Sequence, residues 1–417
     1  MKAKLLVCFL IVTAVVNAQQ RCGSTLHATR AIQNNPFLEK YQQNINQFIQ
    51  QRIQLHKSSS INARPGANSI ITIPVVIHVV YHLASENISD DAINKQMDAL
   101  NRDYRKMNDD SVNTPACFKP LAADCGIQFQ LAKVDPKGRA TNGVERIYSP
   151  VAKWNNDDMV KHKAQFGADA WDADSYLNIW VCSMNDVLGY SSIMGEAKEL
   201  DGVVINYSVF NDLHDGGAYN SGRTAVHEIG HWLGLKHVWG DADCGDDEVD
   251  DTPKQSTYTS GCPGGIRLSC GNTTTGDMYM NYMDYTNDPC MNLFTNGQKE
   301  RMRVLFDDAG FRNSILSSKA LGTPWVEEIS LPDSLISLPV ARIFPNPSQN
   351  EITIDLVNDN KWIGKEVTIA DMSGQVILHH IILTNADKLD VKAFRQGMYF
   401  VNGNCDAGKM VLKFIKL

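Results

Sequence analysis

The stretch that decides the fold is His227-Glu-Ile-Gly-His231-Trp-Leu-Gly234-Leu-Lys-His237. On a helix, residues i and i+4 lie on one face, so His227 and His231 direct their imidazoles toward one point. Glu228 lies beside the first histidine and reaches a metal-bound water without binding the metal itself. Gly234 ends the helix and lets the chain turn, so that His237 supplies a third imidazole. Three protein ligands with an open fourth position are typical of catalytic zinc.

Downstream residues extend this pattern. Asn281-Tyr-Met283-Asp-Tyr285 has the form of a Met-turn. With HEIGHWLGLKHVWGD, the following DTP and NYMDYTNDPCMNLFTNGQKERM, the chain resembles the pappalysin family of metzincins over about residues 70–310. The resemblance implies an α+β catalytic domain with a twisted mixed sheet, an active-site helix and an irregular C-terminal subdomain. It also implies that Met283 forms a hydrophobic floor under the metal and that Tyr285 helps to stabilise the reacting carbonyl. Taken alone, Met283 could be a core residue and Tyr285 a surface aromatic.

These residues predict a zinc endopeptidase acting on extracellular proteins. Zinc lowers the pKa of a bound water to about 7, and Glu228 is the predicted general base that passes the proton to the leaving amine. One alternative is a secreted adhesin or binding protein on the same fold, although a purely structural site needs no base. Another is a metzincin protease without basic specificity.

The Cys-, Gly- and Asp-rich segment 240–292 predicts little regular structure. By resemblance to the family, its cysteines pair as Cys244–Cys270 and Cys262–Cys290, which would restrain a long loop. A zinc site made of all four is the alternative, but the spacing lacks a C-x2-C pair and secretion favours disulfides. Elsewhere, Cys117 and Cys125 lie close enough in sequence to pair, Cys182 is an alternative partner, and the pairing of Cys405 is open.

Residues 243–251 hold six carboxylates in nine positions, which repel one another unless a cation or basic groups lie among them. Calcium binds carboxylate and carbonyl oxygens, and related enzymes bind calcium at this loop. The predicted ligands are the side chains of Asp247, Asp251 and Thr252 and the carbonyl of Val249. A solvated acidic loop is the alternative.

Asp288 follows the Met-turn. In related enzymes an acidic residue at this place lines the S1′ pocket and favours Arg or Lys at P1′, because a partly buried carboxylate prefers a cation. We therefore expect Asp288 to bind substrate on the primed side. An exposed loop aspartate is the alternative.

The N-terminal residues predict export followed by latency. Two lysines precede the apolar run 5–16, and small residues precede a cleavage site after Ala18, as in a secretory signal peptide. The run is too short to span a bilayer, and an uncleaved anchor is the alternative. Cys22 follows in a segment, 19–64, that contains no Asp. A thiolate is a good zinc ligand, and in the family's zymogens a prosegment cysteine fills the open metal position, so Cys22 is a predicted cysteine-switch latch.

The last residues change character. Short alternating strands without a long helix predict a small all-β sandwich at 341–417. Phe344-Pro-Asn-Pro347, residues 367–374, Gly397-Met-Tyr-Phe400 and residues 409–417 resemble the C-terminal sorting domain of the Bacteroidetes type IX secretion system. This resemblance implies export through the periplasm to the outside or the surface of a Gram-negative bacterium, with the secretion machinery as partner. An accessory binding sandwich is the alternative.

These features predict a division of the chain into a signal peptide (1–18), a prosegment with the latch (19–64), a catalytic domain (65–320), a linker (321–340) and the sorting domain (341–417). Within them we expect strands at 70–81, 127–134, 176–182, 202–210, 351–357, 366–372, 375–382, 398–401 and 410–415. We expect helices at 37–53, from 89 to 104, at 224–235 and at 298–306.

The 417 residues carry a net charge of −8 at a pI of about 5.8, which argues against a nucleic-acid-binding protein. No further stretch reaches the roughly 20 apolar residues of a transmembrane helix, and we expect a monomer. The charge is unevenly distributed: residues 19–64 carry +5 and residues 65–320 carry −13. A basic prosegment and an acidic catalytic domain favour electrostatic docking of the latch.

Overall fold

The computed structural model of the protein describes residues 20–58, 69–210, 217–326, 341–357, 360–405 and 408–417. The predicted signal peptide, 1–18, lies outside the described residues, as does most of the predicted linker. The chain divides into two compact units, residues 1–327 and 328–417. In the part of the chain that is described, no helix is both long enough and apolar enough to cross a membrane.

The first unit is built on a six-stranded sheet. Its strands are β1 (Ile71–Tyr81), β2 (Ile127–Leu131), β3 (Val144–Tyr148), β4 (Leu177–Cys182), β5 (Gly189–Ser191) and β6 (Val203–Asn206). β1 pairs in parallel with β2, β3 and β4, and β4 pairs in parallel with β6. β5 is the antiparallel edge strand beside β6. Nearly all of β1 is buried and rich in Val and Ile, as a central parallel strand requires.

Helices lie on this sheet and around it. They are α1 (Ser24–Asn34), α2 (Phe37–Ser58), α3 (Asp90–Tyr104), α4 (Arg223–Trp232) and α5 (Asn296–Arg303). The hydroxyl of Ser89 caps α3 by accepting a hydrogen bond from Ala92 N at 3.1 Å. α3 packs against β2 and α4, and α4 packs against β5 and β6. This packing fixes α4, which carries the histidine motif, beside the edge strand.

The structure differs from the predicted elements at some strand ends and in several short elements. The strand predicted at 202–210 ends at Asn206, because its side chain accepts a hydrogen bond from Ser208 N at 3.2 Å and starts a short 3-10 helix. The strand predicted at 127–134 ends at Leu131. The sequence pattern missed β3, whose residues are all half-buried, β5, which has three residues, and α1. These short or polar segments show too weak a hydrophobic period to be recognised.

The second unit consists of two antiparallel sheets. One holds β7 (Arg342–Phe344), β8 (Glu351–Asp355) and β11 (Ala386–Asp390), and the other holds β9 (Glu366–Asp371), β10 (Val376–Ile381), β12 (Gly397–Cys405) and β13 (Gly408–Lys416). Ile352 and Ile354 of the first sheet share a core with Val367, Ile369 and Val401 of the second. The all-β tail is therefore confirmed, with β7 and β11 as strands that the sequence analysis missed.

Candidate active site

Helix α4 and the turn after it bring three imidazoles together. His227 and His231 lie one helical turn apart, and Gly234, with φ +81°, reverses the chain so that His237 joins them. The Nε2 atom of His231 lies 3.1 Å from those of His227 and His237, which are 3.2 Å apart. Such separations fit nitrogens that share one metal ion with bonds of about 2.0–2.1 Å.

The opposite ring nitrogens fix the tautomers of these histidines. Nδ1 of His227 and Nδ1 of His231 lie 2.7 and 2.9 Å from backbone carbonyl oxygens, and Nδ1 of His237 lies 2.6 Å from the carboxylate of Asp241. Because these partners only accept hydrogen bonds, each Nε2 presents a lone pair to the common point. Burial and the neighbouring imidazoles lower the pKa of His227 well below its ordinary value and that of His231 to about 3, which keeps both rings neutral.

Glu228 is fully buried beside this triangle. Burial raises its pKa to about 7, against the opposing effect of hydrogen bonds from the prosegment. Its Oε2 accepts a hydrogen bond from Ser24 Oγ at 2.7 Å and lies 3.5 Å from Cys22 Sγ, whereas its Oε1 has no hydrogen-bond partner among the described residues. A carboxyl group in this state can both take up and release a proton near neutral pH.

Met283 and Tyr285 lie next to the histidines. Met283 is buried under α4, where a Cβ at position 230 would come within 2.5 Å of its sulfur, so a larger residue there would force the Met283 side chain to shift. The ring of Tyr285 packs 5.0 Å from that of His237 and 5.7 Å from that of His227, and its hydroxyl lies 3.5 Å from the carbonyl oxygen of Cys22. The tyrosine hydroxyl therefore faces a peptide carbonyl beside the triangle.

The chain before α1 crosses the histidine triangle along the outer edge of β5. Gln20 and Gly23 form backbone hydrogen bonds of 2.8–3.0 Å with residues 186–189, and Gln20 forms a parallel bridge with Val187. Cys22, 1% exposed, lies between them with its Sγ 3.6 Å from His231 Nε2. Burial, followed by the charge of Glu228, raises the pKa of the Cys22 thiol well above its ordinary value. The four residues Cys22, His227, His231 and His237 have the spacing of a metal-binding group.

Asp288 is buried and bound to the residue before Cys22. Its Oδ1 accepts a hydrogen bond from the Arg21 guanidinium at 2.9 Å, and its Oδ2 accepts from Ser221 N and Arg223 N at 3.0 and 3.1 Å. The guanidinium also donates to the carbonyl of Thr286 and lies over the ring of Tyr219, 4.9 Å from its centroid. Asp288 therefore lines a buried pocket that the Arg21 guanidinium occupies, and the alternative of an exposed loop aspartate does not hold.

The acidic loop contains one tight cluster. Thr252 Oγ1 lies 2.8 Å from both carboxylate oxygens of Asp247 and 2.8 Å from the carbonyl oxygen of Val249. Burial raises the pKa of Asp247 to about 7. The side chain of Asp251 does not contribute to this cluster. Its two carboxylate oxygens accept hydrogen bonds from Thr295 Oγ1 at 2.6 Å and Gly297 N at 2.9 Å, at the start of α5. The cluster thus holds three of the four predicted calcium ligands, and the Asp251 carboxylate stabilises a helix terminus.

Two disulfides restrain the irregular segment. They join Cys244 to Cys270 and Cys262 to Cys290, the pairs that the family resemblance implies. Cys117 is an exposed free thiol, and Cys125 and Cys182 are buried free thiols. A zinc site made of four loop cysteines is therefore excluded, and so is the Cys117–Cys125 pair.

Three residues of the site escaped the sequence analysis. Arg21 fills the Asp288 pocket, Ser24 binds Glu228, and Asp241 orients His237. Asp241 follows His237 by four residues, and a carboxylate so close to a predicted metal ligand was a usable signal. Arg21 and Ser24 flank the predicted latch, but nothing in the sequence shows which way their side chains point.

Comparisons with known proteins agree with this geometry. A family model described as pregnancy-associated plasma protein-A matches residues 160–307, and one described as a secretion system C-terminal sorting domain matches residues 342–417. An extracellular metalloprotease of Arthroderma benhamiae is 30% identical over 322 residues, 74% of this chain and 91% of that protein. One from Pyricularia oryzae is 34% identical over 251 residues, 57% of this chain and 76% of that protein.

Solved structures of Tannerella forsythia proteins are also similar. A promirolysin mutant is 42% identical with a TM-score of 0.64, covering 72% of this chain and 97% of that chain. Mature mirolysin in complex with a cleaved peptide is 47% identical with a TM-score of 0.58, and the match covers 60% of this chain and 96% of that chain.

The fold and the histidine cluster define a metzincin-type metalloprotease. The chain belongs to the pregnancy-associated plasma protein-A family, the pappalysins. With its sorting domain, it is a secreted or cell-surface enzyme of the Bacteroidetes.

Proposed function

We propose that the protein is a zinc-dependent endopeptidase, made as a zymogen, that cleaves peptide bonds before Arg or Lys. The observation that carries this proposal is the convergence of three Nε2 atoms within 3.2 Å of one another, with Cys22 Sγ 3.6 Å from one of them. His227, His231 and His237 would hold the zinc ion of the active enzyme. In the precursor the Cys22 thiolate would be the fourth ligand.

The chain's own groups account for the proton transfers of peptide hydrolysis. Bound zinc would supply the Lewis acidity that polarises the scissile carbonyl and acidifies water. Glu228 takes the proton of the attacking water and delivers it to the leaving amine, roles that suit a carboxyl whose pKa burial raises to about 7. The Tyr285 hydroxyl, which faces the Cys22 carbonyl in the precursor, donates to the carbonyl oxygen of a substrate. Met283 forms the apolar floor beneath the ligands.

Latency follows from three contacts of the prosegment. Cys22 takes the fourth metal position, and Ser24 binds Oε2 of Glu228 at 2.7 Å, so the base is engaged. Backbone hydrogen bonds from Gln20 and Gly23 cover the edge of β5, where a substrate would add as a strand. The prosegment runs parallel to β5. A substrate that pairs antiparallel with β5 would run in the opposite direction, so the peptide bonds of the prosegment are reversed relative to those of such a substrate.

A basic P1′ preference is supported by the occupant of the Asp288 pocket. The guanidinium of Arg21, one residue from the latch, pairs with Asp288 at 2.9 Å and lies against Tyr219. In the buried pocket a cation is needed, because an unpaired carboxylate is costly there. A substrate Arg or Lys would take the place of Arg21 once the prosegment leaves.

We also propose one calcium site in the acidic loop. The Thr252 hydroxyl lies 2.8 Å from the Asp247 carboxylate and 2.8 Å from the Val249 carbonyl oxygen, so the three groups meet at one place. Calcium would remove the cost of ionising a buried carboxylate whose pKa is raised to about 7. Asp251 would contribute by fixing the loop to α5 rather than by binding with its carboxylate.

The remaining assignments follow the chain. Residues 1–18 would direct export, residues 19–64 would form the prosegment, residues 65–320 the monomeric catalytic domain and residues 321–340 a linker. Residues 341–417 would engage the type IX secretion machinery.

A peptide-library digest tests the proposed function. The activated enzyme is incubated with the library, with and without a zinc chelator, and products are identified by mass spectrometry. We expect chelator-sensitive cleavage with Arg or Lys enriched at P1′. Cleavage that survives metal removal would contradict the zinc mechanism, and cleavage mainly before aliphatic residues would contradict the role of Asp288.

A further inference from the structure

A second side chain of the prosegment lies in an acidic pocket. His27, on α1, is 5% exposed and lies between two carboxylates of the catalytic part. Its Nε2 is 3.0 Å from Oε2 of Glu196, and its Nδ1 is 3.7 Å from Oδ2 of Asp158. The ring also packs against that of Tyr190, with centroids 5.1 Å apart. Both nitrogens face groups that only accept hydrogen bonds, so this pocket suits a side chain with N–H donors on two sides.

The charges of the pocket leave room for one cation. Lys161 is completely buried, and its Nζ binds Asp158 Oδ1 at 2.7 Å. Among the described residues, Glu196 has no cationic partner besides His27; the other hydrogen bond to its Oε2 is a neutral one from the backbone N–H of Ile193 at 2.7 Å. The two carboxylates beside His27 and the Lys161 ammonium sum to −1, and the exposed Asp157, which also lines the cavity, adds to the negative charge, so the pocket favours a positively charged side chain.

In the described part of the chain, the prosegment covers this pocket of the catalytic part. A cavity of about 330 Å³ lies between the two, lined on the prosegment side by His27, Arg30 and Leu38. Its other wall is formed by catalytic-part residues, including Asp158 and Glu196. When the prosegment leaves, this wall becomes open to solvent and to substrate.

The position of the pocket relates it to a bound peptide. The prosegment follows β5, with Arg21 in the Asp288 pocket and Ser24 at the other end, where Ser191 N donates to its Oγ at 2.9 Å. His27 lies one helical turn beyond Ser24, and its backbone N–H donates a hydrogen bond to the carbonyl oxygen of Gly23 at 2.9 Å. Glu196 follows the same end of β5. A peptide that runs antiparallel to β5, opposite in direction to the prosegment, and places its P1′ residue in the Asp288 pocket therefore directs its non-primed residues toward Glu196.

We propose that Asp158 and Glu196 form a subsite for a cationic side chain on the non-primed side of the substrate, and that His27 fills this subsite in the precursor. The assignment of the side rests on the proposed function, which places P1′ at Asp288. The enzyme then recognises basic residues at two places, one on each side of the scissile bond. Its substrate class is extended basic segments of proteins rather than single basic residues.

Matched peptides test this subsite with the enzyme activated from the full chain. All peptides carry Arg at P1′, and a single Lys or Gln is placed in turn at P2, P3, P4 and P5. At one of these positions we expect Lys to raise kcat/KM about tenfold over Gln, mainly by lowering KM. An effect of this size is what one additional charged hydrogen bond produces. In Glu196→Gln this ratio is expected to fall to about one, whereas the exposed Glu199→Gln in the next turn keeps it. The Gln peptides are expected to be cleaved equally by the wild type and Glu199→Gln. For Glu196→Gln, the Lys-to-Gln ratio is compared within the one enzyme, so that a change in its overall activity cancels.

The outcomes separate this proposal from the proposed function. If the wild-type enzyme cleaves the peptides but shows no Lys preference at any of the four positions, the subsite is wrong and the protease remains. A Lys preference that persists in Glu196→Gln also overturns the subsite. If no peptide is cleaved by the wild type, both fail together. If Glu196→Gln loses the Gln peptides as well, the residue is structural and the subsite is again overturned.

Discussion

The histidine cluster on α4 and the acidic loop 243–251 both resemble metal sites in sequence, but the fold treats their donor atoms differently. In the cluster, each Nδ1 faces an acceptor, so each Nε2 is left to point at a common centre. In the loop, Asp251 gives both carboxylate oxygens to α5, and only Asp247 stays near Thr252 and Val249. A fold builds a metal site by satisfying the atoms that do not bind the metal and leaving free the atoms that do.

The largest effect is expected at Glu228, because its buried carboxylate beside the histidines is the proposed general base. Glu228→Ala should lower kcat of the activated enzyme at least about 100-fold while zinc content stays at one per chain. Steady-state kinetics and metal analysis measure both. Ser24→Ala is the matched control, since Ser24 touches Glu228 only from the prosegment and should leave the kcat of the activated enzyme unchanged. Equal losses in both variants would contradict the role of Glu228.

A somewhat smaller effect is expected at the latch. Cys22→Ala removes the proposed fourth ligand and should raise the activity of the uncleaved precursor about 10- to 100-fold, since one to two powers of ten correspond to about 1.4–2.8 kcal/mol. Activity is measured on a short peptide before any processing. Cys117→Ala, which removes an exposed free thiol, should leave the precursor latent. A Cys22→Ala precursor as inactive as the wild type would show that the other prosegment contacts suffice.

The Asp288 pocket should change specificity more than turnover. Asp288→Asn keeps an oxygen for the backbone N–H groups of Ser221 and Arg223 but removes the charge. We expect the preference for Arg over Leu at P1′ to fall about tenfold, with the Leu peptide cleaved as before. Competition between the two peptides measures the ratio directly. An unchanged ratio would place the specificity of the enzyme elsewhere.

The smallest effects, changes in Tm, are expected to distinguish the roles of Asp247 and Asp251 in the acidic loop. Asp251→Asn weakens the start of α5 and should lower Tm by about 2–4 °C whether or not calcium is present. Asp247→Asn should lower Tm only in calcium, because it removes a ligand and also relieves the burial of a carboxylate. Thermal unfolding in calcium and in a calcium chelator provides the comparison. A calcium-independent Tm in the wild type would argue for a loop without the ion.

The sequence was most informative where a chemical motif and a hydrophobic period coincide. β1, α3 and α4 follow from runs of β-branched residues or helical spacing, and the histidine triangle follows from i, i+4 spacing plus the turn at Gly234. The environment of Asp251 could not be predicted, because its carboxylate oxygens accept hydrogen bonds from Thr295 and Gly297, which are 44 and 46 residues away in sequence. The same holds for α1, whose buried residues, Ser24 and His27, are polar and give no apolar pattern to recognise.

The prosegment shows the limit most clearly. The latch role of Cys22 stays a prediction from its chemistry and position. The partners of Arg21, Ser24 and His27 depend on side-chain directions set by β5 and α4. Long-range contacts of this kind have no signature in a single sequence. They are, however, the contacts on which the proposed latency and the proposed specificity both rest.

Zinc-edge X-ray absorption of the full precursor tests the central claim most directly. The account predicts one zinc per chain with three imidazole nitrogens at about 2.0–2.1 Å and one sulfur at about 2.3 Å. The sulfur should be lost on activation and in Cys22→Ala, while the three nitrogens remain. A precursor whose zinc shell contains no sulfur, or one that keeps sulfur after Cys22 is replaced, would contradict the account.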